Sequence, residues 1–142
     1  MIAADLSAEA LQVARENARR HAVSDRVHFV QADLLTFTLQ PAAFNLICAN
    51  LPYTPTETLH KLEIYGREPT LALDGGKDGL QFIRRLMAQA AGTLTPGGGL
   101  LLEIESTQGT AARSLARQFF PNAEITLLPD LAGHDRLLKI QT

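Results

Sequence analysis

The chain has 142 residues, the size of one domain that can bury a real hydrophobic core. Its 46% hydrophobic and 20% charged residues describe an ordinary globular chain, and a net charge of -2 provides no basic field for a nucleic-acid backbone. One cysteine, Cys48, excludes an internal disulfide framework, no apolar run approaches the about 20 residues of a membrane helix, and no signal-peptide pattern opens the chain, so a soluble cytoplasmic protein is expected.

Met1 to Ala4 reads as an apolar stub that ends in Asp5. Ser7 is a good N-cap, because its hydroxyl can accept a free amide of the first helical turn, and Glu9 suits the positive end of the helix dipole. Ala10, Val13, Ala14 and Ala18 recur at helical spacing and predict the buried stripe. "RVHFVQAD", 26 to 33, reads as a strand. "FNLICAN", 44 to 50, is a nearly continuous apolar run, the pattern of a strand covered on both faces.

Residues 54 to 76 carry Pro55, Pro69, Gly75 and Gly76 and read as loop. A helix follows, with Leu80, Ile83, Met87, Ala90 and Leu94 on one stripe widened by Phe82 and Leu86. "TPGGG", 95 to 99, ends it and turns the chain into "LLLEIE", 100 to 105, the next strand. Residues 108 to 119 predict a helix, and "AEITLLPD" and "RLLKIQT" joined by "LAGHD" predict an antiparallel hairpin.

Strand and helix patterns alternate, which predicts an α/β fold: a mostly parallel sheet with helices on both faces. Ligands bind such sheets at the carboxyl ends of the strands, where Asp5, Asp33 and Asn50 fall. An acid at Asp5 can accept from ribose hydroxyls; it can equally be a strand-to-helix turn acid. Asp33 can accept from an adenine amino group with Leu34 against the ring, or again serve a turn. "NLPY", 50 to 53, is sharper. Asn50 supplies an amide oxygen, Leu51 precedes Pro52 and is pushed to extended geometry with a directed carbonyl, and Tyr53 offers a flat face. Together they suit a planar group bearing an amino group, whose nitrogen they would orient toward an electrophile. The plainer reading is a proline-terminated strand with a packing tyrosine.

Other motifs carry less. "DGGKDG", 74 to 79, lacks the spacing of a phosphate-binding P-loop, so Gly75 and Gly76 are expected to turn the chain into the helix. His21, His28, His60 and His134 have no metal-ligand spacing, so no metal is expected. Cys48, in the middle of a run expected to be buried, is expected to be inert.

"AADLSAEALQVARENARRH", "RVHFVQADLL" and "FNLICANLPY" together resemble an S-adenosylmethionine-dependent methyltransferase. "REPTLALDGGKDGLQFIRRL", "LTPGGGLLLEI" and "DLAGHDRLLKI" are similar to the HemK-type protein-glutamine methyltransferases, which methylate the glutamine of the GGQ loop in peptide-chain release factors. The resemblance implies a Rossmann-like class I methyltransferase sheet with a C-terminal antiparallel hairpin, S-adenosyl-L-methionine as cofactor and a release factor as substrate. It places Asp5 at the cofactor ribose and Asp33 and Leu34 at the adenine, with Leu6 and Asn50 also among the cofactor-binding residues. Asn50, Leu51, Pro52 and Tyr53 match the family's Asn-Pro-Pro-Tyr motif, with Leu51 in place of its first proline. The resemblance also implies a helical domain, a strand and a glycine-rich loop ahead of Met1. Residues 1–142 are therefore expected to form a partial methyltransferase domain that lacks the first strand and helix and has little activity alone.

Two rivals keep other features. An adenine amino-methyltransferase shares "NLPY", but the charge speaks against nucleic acid. A non-catalytic α/β module would suit a chain without a glycine-rich loop. Without the first strand, the strands ending at Asp5 and Asn50 each keep an unpaired apolar edge. Residues 1 to 5 can pair directly with 44 to 49, but that forces the helices on both faces to repack, so the expected remedy is a homo-oligomer formed through those edges, with no membrane and no stable nucleic-acid partner.

Overall fold

The structure, a computed structural model, describes residues 1–38 and 40–142. They form two compact units, residues 1–39 and 40–142.

The first unit holds β1 (Ile2–Asp5), α1 (Ala8–Arg20) and β2 (His28–Gln31). β1 and β2 pair in parallel, from Ile2 against His28 to Asp5 against Gln31. Ser7 caps α1 as its chemistry predicts: its hydroxyl accepts from the Ala10 amide at 3.0 Å. The expected stripe is corrected, however. Leu11 and Ala18 are the buried residues of α1, Ala14 is half-buried, and Val13 is 60% exposed. Leu11, Ala14 and Ala18 are spaced i, i+3, i+7, so the face is rotated one residue from the predicted one and built on the larger leucine.

The second unit holds β3 (Phe44–Ala49), α2 (Thr56–Leu59), α3 (Gln81–Thr93), β4 (Leu94–Glu103), α4 (Gly109–Phe119), β5 (Glu124–Pro129) and β6 (Asp135–Gln141). Its sheet runs β3-β4-β6-β5. β3 and β4 are parallel, and β6 is antiparallel to both its neighbours. The predicted hairpin is therefore present, with β6 inserted between β4 and β5. Its loop closes on Asp130, whose carboxylate accepts from the amides of Ala132 at 2.9 Å and His134 at 3.0 Å.

α3 and α4 lie against each other and against this sheet. The predicted α3 stripe is buried from Leu80 to Leu94. Leu100, Leu102, Leu138 and Ile140 are fully buried, in facing pairs Leu100–Ile140 and Leu102–Leu138. The alternate residues Leu101, Glu103, Leu137 and Lys139 are only half-buried. Within this unit, α3 and α4 thus lie on one face of the sheet.

Two expectations are corrected here. β3 is not covered on both faces: Ile47 is buried, but Leu46 is 57% exposed, and Cys48 is exposed rather than sequestered. The apolar run is real, but only its Ile47 is buried. The turn at 95 to 99 also lies inside β4 rather than before it. Phe44 pairs with Leu94 and Leu46 with Gly99, so Thr95–Gly98 loops out between two ladder positions, with Gly97 at φ +73. The strand ends at Glu103, and Glu105 caps the turn that follows. Within 54 to 76, α2 and a single turn at Thr70–Ala72 interrupt the expected loop.

Candidate active site

In the first unit, the predicted residues gather at the carboxyl ends of β1 and β2. The Ala32 amide donates to the Asp5 carbonyl at 2.9 Å, and the Gln31 side chain donates to the Leu6 carbonyl at 3.1 Å. These bonds hold Asp5 and Leu6 beside the turn that carries Asp33 and Leu34. Asp5 serves that turn as well: its Oδ1 accepts from the Ser7 amide at 2.8 Å. The other carboxylate oxygen keeps no partner among the described residues. Leu34 sits at φ +56, a left-handed conformation unfavourable for a branched side chain.

In the second unit, Asn50 follows the last residue of β3 and is exposed, and its side chain forms no hydrogen bond with a described residue. Leu51, Pro52 and Tyr53 are half-buried. The next residue, Thr54, forms a bridge with Asp74: its amide donates to the Leu73 carbonyl at 3.0 Å, and the Gly75 amide donates to the Thr54 carbonyl at 2.8 Å. The Thr56 hydroxyl and the Gly76 amide both donate to Asp74 Oδ1, at 2.7 and 2.9 Å, and together hold that carboxyl below the usual carboxylate range.

The Tyr53 phenol donates to Glu103 Oε1 at 3.2 Å, at the end of the neighbouring strand β4. Burial pushes the phenol pKa up; the negative charge of Glu103 and this hydrogen bond add to the rise, and Arg136 opposes it. Tyr53 is therefore a neutral donor at physiological pH, with its ring held at the strand ends. A pocket of about 280 Å³ opens beside it, lined by Asn50, Leu51 and Tyr53 on one side and by Leu59, Leu62, Ile64 and Leu73 among others. Pockets for small ligands run about 300–1,000 Å³, so this mostly aliphatic recess stands at the lower end of that range, with the polar Asn50 at its rim. No group of histidine, cysteine and carboxylate side chains among the described residues has metal-binding geometry.

Asn50, Leu51, Pro52 and Tyr53 are thus brought together in one unit, and Asp5, Leu6, Asp33 and Leu34 in the other. Sequence reading missed Glu103, Gln108 and Gly79. Gln108 donates from Nε2 to the Tyr53 carbonyl at 2.9 Å, across 55 positions. The one signal was "EIESTQ", where Glu105 and Gln108 stand three apart as in a capping box; the contact with Tyr53 has no local signature. "DGGKDG" was read as a turn into the helix, whereas it is also the wall behind Tyr53.

A family described as a methyltransferase domain matches residues 1–124. The release factor glutamine methyltransferase of Moorella thermoacetica is 47% identical over 135 residues, 94% of this chain and 47% of that protein. The release factor glutamine methyltransferase of Thermosynechococcus vestitus is 40% identical over 144 residues, 99% of this chain and 49% of that one. The chain spans about half the length of the curated relatives it matches. Among solved structures, a methyltransferase from Pyrococcus furiosus has a TM-score of 0.71 at 18% identity, covering 99% of this chain and 61% of that one. The ribosomal protein L11 methylase of Lactobacillus delbrueckii subsp. bulgaricus has a TM-score of 0.65 at 17% identity, covering 99% and 55%. At such identities the structures show the fold alone, and that fold agrees with the match over 1–124. No helix of the described residues is long and apolar enough to cross a membrane. The chain belongs to the methyltransferase domain family.

Proposed function

We propose that this chain is the methyl-transferring part of a protein-glutamine N-methyltransferase that acts on the GGQ glutamine of peptide-chain release factors in the cytoplasm. The observation that carries the reading is the Asn50–Tyr53 turn: an exposed amide with no hydrogen-bond partner among the described residues, beside a mostly aliphatic recess. A glutamine side chain has the same character, two methylenes and a planar amide. Its methylenes fit the recess, and its two amide hydrogens fit Asn50 Oδ1 and the Leu51 carbonyl.

The residues at the ends of β1 and β2 fit S-adenosyl-L-methionine. The free oxygen of Asp5 suits a ribose hydroxyl, with Leu6 beside it, and Asp33 with Leu34 suits the adenine. The bound cofactor supplies an electrophilic methyl group on sulfur. The chain's own residues orient the acceptor. Asn50 and the Leu51 carbonyl draw on the two N–H bonds and fix the nitrogen, Pro52 stiffens the turn, and the Tyr53 ring packs on the amide plane. S-adenosyl-L-methionine, held by Asp5, Leu6, Asp33 and Leu34, would supply the methyl group, and the amide nitrogen fixed by Asn50 and Leu51 would give up its proton to solvent. Positioning of this kind is worth several powers of ten in rate, and a misplacement of about 1 Å forfeits about 100-fold.

The test is a transfer assay with a release factor as acceptor and mass-spectrometric location of the methyl group. Methylation of the GGQ glutamine, absent when that residue is glutamate, is expected. A slow rate is expected of this chain alone, so the location rather than the rate is the readout. Methylation of adenine in nucleic acid instead would overturn the choice of substrate.

We also propose that the chain self-associates through its strand edges, with no nucleic-acid or membrane partner. Among the described residues β1 pairs only with β2, and β3 only with β4. Ile2 and Leu46 are large exposed hydrophobic residues on those two one-sided strands.

A further inference from the structure

We propose that Gln108 is a positioning residue for the amide grip: its side chain, acting through the Tyr53 carbonyl, fixes the turn that carries Asn50 and Leu51. What that turn holds rests on the glutamine reading above; the clamp itself does not.

Gln108 is 7% exposed and is one of the few buried polar side chains. Its hydrogen-bonding groups are spent on three separate segments. Nε2 donates to the Tyr53 carbonyl at 2.9 Å and leans toward the Asp78 carbonyl at 3.5 Å, while Oε1 accepts from the Glu105 amide at 3.1 Å. A glutamine amide has both a donor and an acceptor end, and both are used here. Neither leucine nor ionised glutamate can replace it.

The 74–79 loop is shaped around this contact. Gly79 lies at φ +72, and a Cβ there would collide with both the Tyr53 carbonyl oxygen and Gln108 Nε2. A Cβ at Gly75 would fall 2.7 Å from the Tyr53 Cα. Two glycines thus admit the Tyr53 backbone to a crowded seat, and Gln108 locks its carbonyl there. Tyr53 is three residues from Asn50, with the φ-restricted Pro52 between them, so a fixed Tyr53 backbone transmits its position to the grip. Gln108 is the N-cap of α4, one turn ahead of the buried Ala112, and its side-chain hydrogen bonds go to Tyr53, Asp78 and Glu105. Its loss should therefore act locally.

The test compares the wild-type chain with Gln108→Leu and Gln108→Glu. Two quantities are measured at about pH 8 and about pH 5: hydrogen-exchange protection of the Thr54 and Gly75 amides, and affinity for a Gly-Gly-Gln peptide against its Gly-Gly-Glu counterpart. At pH 8 the introduced glutamate is ionised and faces two carbonyls. At pH 5 its carboxyl, raised by burial and those carbonyls, is protonated and donates as the amide did. The ionisable groups around the clamp are Glu105 in its own turn, Asp78 in the glycine loop, Glu103 at the end of β4, and Asp135 and Arg136 at the start of β6; the wild-type chain at each pH controls for them.

Gln108→Leu should lose protection at Thr54 and Gly75 at both pH values and bind the glutamine peptide about tenfold more weakly. Gln108→Glu should match it at pH 8 and return to within about twofold of wild type at pH 5. Wild-type protection in both variants at pH 8 overturns the clamp. So does a loss of protection spread over β4 to β6 that Gln108→Glu does not recover at pH 5, since Gln108 would then be only a fold residue. If the wild-type chain does not distinguish the two peptides while the exchange pattern holds, the glutamine reading falls and the clamp on Tyr53 stands.

Discussion

At the scale of single residues, the site divides into what the sequence states and what only folding reveals. Asn50, Pro52 and Tyr53 are legible because their combination at a strand end serves no turn requirement. Glu103 was hidden: it closes an apolar strand and meets Tyr53 only because β3 and β4 lie side by side. Its role predicts a measurable titration. In a Tyr65→Phe background Tyr53 is the only tyrosine, and the chain has no tryptophan, so its phenol can be followed by ultraviolet absorbance. Glu103→Gln should lower the Tyr53 pKa, since a charge and a charge-assisted hydrogen bond are lost. Burial then remains as the raising cause, with Arg136 against it. An unchanged titration would show that Glu103 does not hold the ring. Asn50→Ala removes an exposed side chain with no hydrogen-bond partner among the described residues, so thermal unfolding should move little while glutamine-peptide affinity falls about tenfold. A large loss of stability would mean that Asn50 is part of the fold's support.

At the scale of elements, periodicity located α3 to its full stripe but set the face of α1 one residue off. Alanines at 10, 14 and 18 fit several faces, and the sequence alone did not rank Leu11 above Val13. The outcome can be measured. Ile83→Ala, at a fully buried position of α3, should cost about 2–5 kcal/mol in denaturant unfolding. Val13→Ala, on the exposed side of α1, should stay within about 0.5 kcal/mol. Equal effects would contradict the packing described. The 74–79 loop carries a pH signature. Asp74 is held below its ordinary value of 3.8 first by the Thr56 hydroxyl and then by the Gly76 amide. Asp78 is held low by Arg84 and then by the Leu80 amide. Both carboxyls bind protons more weakly folded than unfolded. Their contribution is therefore complete above the unfolded values, about pH 4, and is lost as the pH falls through the lowered folded ones. Urea midpoints below about pH 4 should fall less steeply with acid for Asp74→Asn than for the wild-type chain. Parallel curves would show that Asp74 adds nothing to the acid response.

At the scale of the whole molecule, alternating patterns were enough to read an α/β fold with a C-terminal hairpin, and the fold match agrees. The exposure of Leu46 and Cys48 was not legible. An apolar run states that a strand expects cover; it does not state which cover the rest of the chain provides. Edges of this kind recruit strands, so light scattering should find dimers or larger species, reduced by Leu46→Lys on β3. A monodisperse monomer would contradict self-association. Whether the Asn50–Tyr53 turn holds a glutamine amide is decided by a nitrogen-resolved nuclear magnetic resonance titration of the chain with a Gly-Gly-Gln peptide. Saturable shifts centred on Asn50, Leu51, Tyr53 and Thr54, absent with the Gly-Gly-Glu peptide, are predicted; shifts that are identical for the two peptides, or that fall elsewhere, would contradict the account.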